Sequence, residues 1–212
     1  MKHETRIELL HRSWARCWSG VGAAHPNDAL RDELISAYEQ AHRSYHTLQH
    51  LCECLSLLDA HRDAAQRPDE VELALWFHDA VYNVRAGDNE MKSAEWAAEA
   101  LQSAHVAPAT IARLQNHILA TRHAVLPEAG DQTLLVDIDL AILGAAVDRF
   151  DEYEDQVRRE YRWVPDFLFR SKRREILEEF LLRQPLYGTP QLRDCLEASA
   201  HANLRRAIDR LS

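Results

Sequence analysis

The sequence predicts an all-α fold. All six glycines and all seven prolines of the 212-residue chain fall between stretches in which apolar residues recur with helical spacing. No segment alternates apolar and polar residues for long enough to indicate a β-strand. We therefore expect a single multi-helix globule, with one domain spanning residues 1–212.

Ten helices are predicted between these breakers. Asn27 and Asp28 are typical N-terminal caps and follow Pro26, and Pro108 suits the first turn of a helix. In chain order, the breakers are Gly20, Gly22, Pro26, Pro68, Gly87, Pro108, Pro127, Gly130, Gly144, Pro165, Pro185, Gly188 and Pro190. The helices are expected near residues 5–19, 27–42, 48–62, 69–83, 89–105, 108–122, 131–143, 147–163, 166–183 and 190–210.

Charge and hydropathy exclude several classes of partner. The chain has 25 Lys and Arg against 34 Asp and Glu, a net charge of −9, which argues against general nucleic-acid binding. No apolar run reaches the ~20 residues that span a bilayer, and the charged N-terminus lacks the apolar core of a signal peptide. We expect a cytoplasmic protein with no membrane partner, and we leave a homodimer open.

Two apolar segments carry charged side chains in their middle. The segment VELALWFHDAVY contains His78 and Asp79, and the segment LLVDIDLAILGAAV contains Asp137 and Asp139. Both segments are apolar almost all round and should be buried. A lone buried carboxylate is costly, so it normally neutralises, pairs or binds a metal. A divalent cation would satisfy these groups together.

The order of these residues resembles the H…HD…D pattern of the HD-domain metal-dependent phosphohydrolases. The resemblance covers residues 43–145, and helices over 147–210 are expected to pack on that core. It implies one divalent ion (Mn, Fe, Co, Ni, Zn or Mg) held by His50, His78, Asp79 and Asp139. The side chains of Asp137 and Asp139 project ~200° apart on a helix, so we expect only one of them to bind the ion. Asp137 remains the alternative to Asp139.

The stretch Tyr45-His46-Thr47-Leu48-Gln49-His50 resembles the YHNxxH segment of the cyclic nucleotide phosphodiesterases, a branch of the same superfamily. The resemblance implies that His50 binds metal and that His46 is the general acid for the leaving group. Thr47 departs from the pattern, since that branch has Asn there. His46 could instead precede the helix and cap it or support a ligand.

Most of the chain from residue 5 onward is also similar to a bacterial subgroup of predicted HD phosphohydrolases. The similarity includes Trp76-Phe77-His78-Asp79-Ala80-Val81-Tyr82 and Asp137-x-Asp139-Leu140-x-x-Leu143-Gly144. It implies a hydrolase that cleaves a nucleotide or another small phosphoester with metal-activated water. His46 and Asp79 would then be its catalytic residues.

Further residues are candidates for binding the substrate. Arg43, Arg158 and Arg173 could clamp a phosphate, because a guanidinium binds phosphate bidentately. Glu90 could accept a hydrogen bond from water near the metal, or it could simply be a helix N-terminal charge. Most arginines of this chain are expected to be surface charges.

Two other functions remain open. Some HD-domain proteins hold two irons and oxidise carbon, and His117, His123 and Glu90 could supply part of a second ligand set. A non-catalytic module that binds a nucleotide or a partner protein is the other alternative.

Overall fold

The computed structural model describes residues 5–25, 27–123 and 125–211. Within these ranges the chain forms ten α-helices and two short 3-10 helices, at Arg62–Ala64 and Leu140–Gly144, and no β-strand, so the predicted all-α fold is confirmed. The α-helices are α1 (Arg6–Gly20), α2 (Asp28–Tyr38), α3 (Leu48–Ala60), α4 (Pro68–Phe77), α5 (Asn89–Ser103), α6 (Pro108–Ala120), α7 (Asp131–Asp139), α8 (Val147–Glu160), α9 (Asp166–Leu182) and α10 (Pro190–Arg210).

The packing of these helices divides the chain into two units, Met1–Val136 and Asp137–Ser212. The division falls within α7, a continuous helix, and within the predicted core of residues 43–145. The prediction of one domain with C-terminal helices packed on that core stays a prediction. No helix in the described part of the chain combines the length and the apolar character that a membrane crossing requires.

Helix α4 lies at the centre of the first unit, where α1, α3, α5 and α6 all pack against it. Every residue from Val71 to Phe77 is buried, as the apolar sequence predicts. The indole of Trp76 donates a hydrogen bond to Ser13 Oγ at 3.0 Å and packs edge-on against Trp14. This packing fixes the C-terminal end of α4, and His78 follows directly from it.

Helix α4 also carries a buried charge that the sequence analysis did not single out. The side chain of Glu72 is fully buried and accepts hydrogen bonds from Arg16 Nε at 2.9 Å and Arg62 Nη1 at 2.7 Å. A buried carboxylate is tolerated when it is paired and hydrogen-bonded in this way. These ion pairs attach α1 and the 3-10 helix at Arg62–Ala64 to α4.

The end of α4 differs from the prediction. A helix was expected over 69–83, but α4 ends at Phe77, and His78 is its C-cap residue. The chain then turns, because Ala80 N donates to Phe77 O at 2.9 Å and Val81 N donates to Ser93 Oγ at 3.0 Å. His78 and Asp79 therefore lie at a helix terminus and not in the middle of a helix.

In the second unit, α10 packs against α9 and against the 3-10 helix at Leu140–Gly144, which also contacts α8. Gly144 allows a close approach, since a Cβ there would lie 2.8 Å from the carbonyl oxygen of Leu196. Asn203 Nδ2 donates to the carbonyls of Leu143 at 3.0 Å and Ala145 at 2.9 Å. A single helix was expected over 131–143. In the structure α7 ends at Asp139, and the chain continues as the 3-10 helix at Leu140–Gly144.

The predicted helix starts agree with the structure where a capping residue was identified. Asn27 caps α2, with its side chain accepting a hydrogen bond from Leu30 N at 3.1 Å. Pro108 occupies the first turn of α6. Pro26 lies outside the described residues.

Candidate metal centre

Three predicted ligands meet at the junction of α3 and the end of α4. His50 lies in the first turn of α3, and it is 2% exposed, while His78 is 1% exposed. Their Nε2 atoms are 3.1 Å apart, and Asp79 Oδ2 lies 3.1 Å from His78 Nε2 and 3.6 Å from His50 Nε2. Ligand atoms at ~2.1 Å from one ion are separated by about 3.0–3.6 Å, so these three atoms have suitable spacing.

A main-chain carbonyl fixes the tautomer of His78. Its Nδ1 lies 2.8 Å from the carbonyl oxygen of Leu75. A carbonyl can only accept, so Nδ1 carries the proton and Nε2 of the neutral ring offers its lone pair. Metal-binding histidines are commonly oriented by such a bond from the other ring nitrogen.

The fourth predicted ligand, Asp139, is the last residue of α7 and is half-buried. His50, His78 and Asp139 each offer one ligand atom, and these three atoms lie within 4.8 Å of one another. The group could therefore hold a metal ion. This group shares His50 and His78 with the three atoms described above.

Asp137, the alternative to Asp139, has other partners. Its carboxylate accepts hydrogen bonds from Gly188 N at 3.1 Å and Thr189 N at 2.5 Å, just before α10 begins. Burial raises the pKa of Asp137, although these amide hydrogen bonds oppose the effect. Its buried carboxylate therefore has a structural explanation without a metal.

The Asp79 carboxyl lies beside three imidazole rings. Burial raises its pKa, whereas positive charge on His78, His46 and His50 lowers the pKa below its usual range when these rings are protonated. An ionised carboxylate beside two imidazole rings is a donor set that suits a divalent cation.

Comparisons of the chain with protein-family models, with curated proteins and with solved structures give no match. The resemblance to the HD-domain phosphohydrolases therefore rests on the residues quoted from the sequence.

His46 lies in the turn before α3. Thr47 is the N-cap of α3 and accepts a hydrogen bond from Gln49 N at 3.3 Å, so His46 is not the cap. The His46 ring stacks on Tyr82 at a centroid distance of 4.2 Å and meets Tyr45 edge-on at 4.9 Å. Its ring centroid lies 6.1 Å from that of His50. The structure thus brings the predicted general acid next to the predicted ligands.

The predicted substrate-binding residues lie in different places. Arg43, in the loop between α2 and α3, is buried against the turn that follows α4. Glu90, in the first turn of α5, lies 3.7 Å from Arg122 Nε. Arg158, in the second unit, donates to the carbonyls of Tyr161 at 2.8 Å and Val164 at 3.2 Å. Their roles toward a substrate stay predictions.

Arg173, the third arginine that was expected to clamp a phosphate, is also buried. Arg173 pairs with Glu154 at 2.5 Å between Nη2 and Oε1, and its guanidinium lies 5.1 Å from the ring centroid of Tyr153. This pairing accounts for the buried charge.

A groove of about 940 Å³ adjoins the turn that follows Asp79. Ala80 and Tyr82 line it together with Trp96 and residues of α2. Tyr82 therefore contributes to the wall of the groove and also stacks on His46.

Two neighbours of the candidate ligands escaped the sequence analysis. The carbonyl of Leu75 orients His78, and Cys54 Sγ lies 3.7 Å from His50 Nδ1. Both could have been found from helical spacing, because residues three or four positions apart share a helix face.

Proposed function

We propose that this protein is a metal-dependent phosphohydrolase of the HD-domain type. It would hold one divalent cation with His50, His78, Asp79 and Asp139 and cleave a nucleotide or another small phosphoester. The observation that carries the proposal is the approach of two buried imidazole Nε2 atoms to 3.1 Å beside the Asp79 carboxylate. A neutral His50 can place an Nε2–H against the His78 lone pair, whereas a cation would accept lone pairs from both rings and from the carboxylate.

The donor set supports a metal ion over a shared proton. Nitrogen and carboxylate oxygen ligands together suit Mn²⁺, Fe²⁺, Co²⁺, Ni²⁺ or Zn²⁺, and Mg²⁺ is also compatible. When bound, such a cation lowers the pKa of water and polarises a phosphoryl oxygen. The chain's own contribution is to present His78 in one tautomer, with its Nε2 beside the Asp79 carboxylate.

His46 is the residue that we propose as general acid. The rings of Tyr82 and Tyr45 pack against its imidazole and restrict its orientation. A protonated imidazole can donate its proton to the oxygen of the departing group. The groove lined by Tyr82 and Trp96 offers aromatic walls for the organic part of the substrate.

The alternatives receive less support. A di-iron oxygenase needs a second set of ligands, and among the described residues the grouped ligand side chains all lie around His50 and His78. Its candidate ligand His117 lies in α6 and is buried, and burial lowers its pKa. A non-catalytic binding module would carry the same ligands, and turnover distinguishes it from a hydrolase.

The proposed chemistry can be tested with His46→Gln and two phosphoesters. One substrate has a poor alkyl leaving group, and the other, p-nitrophenyl phosphate, has a leaving group that departs without protonation. We expect His46→Gln to lower kcat by about 10²–10⁴-fold on the alkyl ester and far less on p-nitrophenyl phosphate. Phosphate release in the presence of Mn²⁺, Co²⁺, Ni²⁺ or Mg²⁺ measures both rates.

His61→Gln is the matched control, since His61 ends the same helix that carries His50. It should leave both rates unchanged. Equal losses on the two substrates would contradict the role of His46. An absence of turnover in the wild-type protein with every metal, together with tight nucleotide binding, would favour the binding module.

A further inference from the structure

Arg43 is a buried arginine in the loop between α2 and α3, three residues before His46. Its Nη1 donates to the main-chain carbonyl oxygens of Asp79 at 2.6 Å and His46 at 3.2 Å. Its Nη2 donates to the carbonyl oxygen of Ala80 at 2.9 Å. One guanidinium thus joins the segment that carries His46 to the segment that carries Asp79.

Two aromatic rings hold this guanidinium in place. Its central carbon lies 5.2 Å from the ring centroid of Tyr38 and 5.3 Å from that of Tyr82, which is cation–π distance. The Tyr38 hydroxyl donates to the carbonyl of Trp76 at 3.2 Å, so this ring is itself attached to the end of α4. Gln40 Oε1, at 3.4 Å from Nε and Nη2, is a further acceptor.

The carbonyls that Arg43 binds belong to a stretch that has left the helix. Because α4 ends at Phe77, the carbonyl groups that follow have no partner in a continuing helical ladder. A buried carbonyl needs a donor, and Arg43 supplies it for both Asp79 and Ala80. A lysine could not replace this arginine, because the planar guanidinium reaches three carbonyl oxygens and lies against two aromatic rings.

We propose that Arg43 is a positioning residue, which sets the geometry of the candidate metal ligands through main-chain carbonyls and does not bind the phosphate of the substrate. The inference deepens the proposed function and rests on it. It replaces the role expected from the sequence, where Arg43 was a candidate phosphate clamp. Its guanidinium is already occupied with carbonyls and rings and is 6% exposed.

The test compares the wild-type chain with Arg43→Lys and Arg43→Gln. In metal-free, isotopically labelled protein, we expect both variants to shift the imidazole ¹⁵N and N–H resonances of His50 and His78. We also expect the affinity for Co²⁺ to fall about 10–100-fold, as it does when residues that orient ligands are changed. KM for a phosphoester should stay at the wild-type value, because the side chain does not contact the phosphate.

Arg12→Lys is the control, because Arg12 is an arginine with 42% of its side chain exposed that pairs with Asp59. It should leave the imidazole resonances and the Co²⁺ affinity unchanged.

Three outcomes would overturn the proposal. The first is imidazole resonances in both Arg43 variants that coincide with those of the wild type. The second is a raised KM with unchanged Co²⁺ affinity, which would make Arg43 a phosphate ligand. The third is loss of the helical circular-dichroism signal in both variants, which would make Arg43 a general stabiliser. If the wild-type protein binds no Co²⁺, the proposed function fails, and the metal-free resonances still decide the role of Arg43.

Discussion

At the scale of single residues, Asp137 and Asp139 show how two identical side chains on one helix take different partners. Their separation of two positions predicts that they point ~200° apart, so the sequence indicates that only one can join a given site. It could not indicate which, because the amides that bind Asp137 come from Gly188 and Thr189, 51 and 52 positions later in the chain. The cluster with His50 and His78 contains Asp139.

The two aspartates should respond differently to the same substitution. Asp139→Asn should weaken Co²⁺ binding at least about 10-fold. Asp137→Asn should lower the free energy of unfolding by about 1–3 kcal/mol, because hydrogen bonds from two amides to a charged acceptor are weakened. Isothermal titration and denaturant unfolding of metal-free protein measure these effects.

Asp209→Asn, an exposed position in α10, serves as the control for both measurements. The assignment fails if Asp137→Asn is the variant that loses the metal while its stability is retained.

Arg43 shows a second limit of the sequence at this scale. The residue type and its place before His46 indicated a functional arginine. The partners that decide its role are carbonyl oxygens of Asp79 and Ala80, and every residue has a carbonyl, so no residue pattern could reveal them.

At the scale of the elements, the start and the end of α4 are both fixed by residues distant in sequence. Its N-cap residue Arg67 makes no side-chain cap, and Asp131 at the start of α7 instead binds the two amides just before the helix. The Asp131 carboxylate accepts hydrogen bonds from Gln66 N at 2.7 Å and Arg67 N at 2.8 Å. A carboxylate at this end of a helix is also favoured by the helix dipole.

Removing this carboxylate should destabilise the first unit. We expect Asp131→Ala to lower the free energy of unfolding by about 1–3 kcal/mol, because two main-chain amides lose a charged acceptor. Urea unfolding followed by circular dichroism measures the change. Asp63→Ala, at an exposed position of the neighbouring 3-10 helix, should change the stability by less than about 0.5 kcal/mol. Equal effects of the two substitutions would contradict the capping role of Asp131.

The end of α4 was the clearest error in the prediction of the elements. The apolar run continues through Val81, so periodicity extended the helix beyond Phe77. Hydrogen bonds from Arg43 to Asp79 and Ala80, and from Val81 to Ser93, hold the turn that replaces it. The turn lets His78 and Asp79 approach His50, so the deviation from helical periodicity coincides with the candidate site.

At the scale of the whole molecule, the sequence predicted the all-α class and the number of helices, because glycines, prolines and caps mark the helix ends in this chain. The charged residues in apolar segments predicted a shared partner, and the resemblance added His50 to the set. The structure groups His50 and His78 with Asp139, while the full set of four ligands stays a prediction. It did not predict the division at Val136 and Asp137, which falls inside one helix and follows from tertiary packing alone.

The central claim is that these side chains hold one divalent cation, and the metal content of the purified chain tests it most directly. The protein should be prepared without chelators and without a metal-binding tag, reconstituted with Mn²⁺ or Co²⁺, dialysed and measured by elemental analysis. We predict about one ion per chain in the wild type and in His61→Gln, and almost none in a folded His50→Gln variant. Wild-type protein that retains no metal, or a His50→Gln variant that retains as much metal as the wild type, would contradict the account.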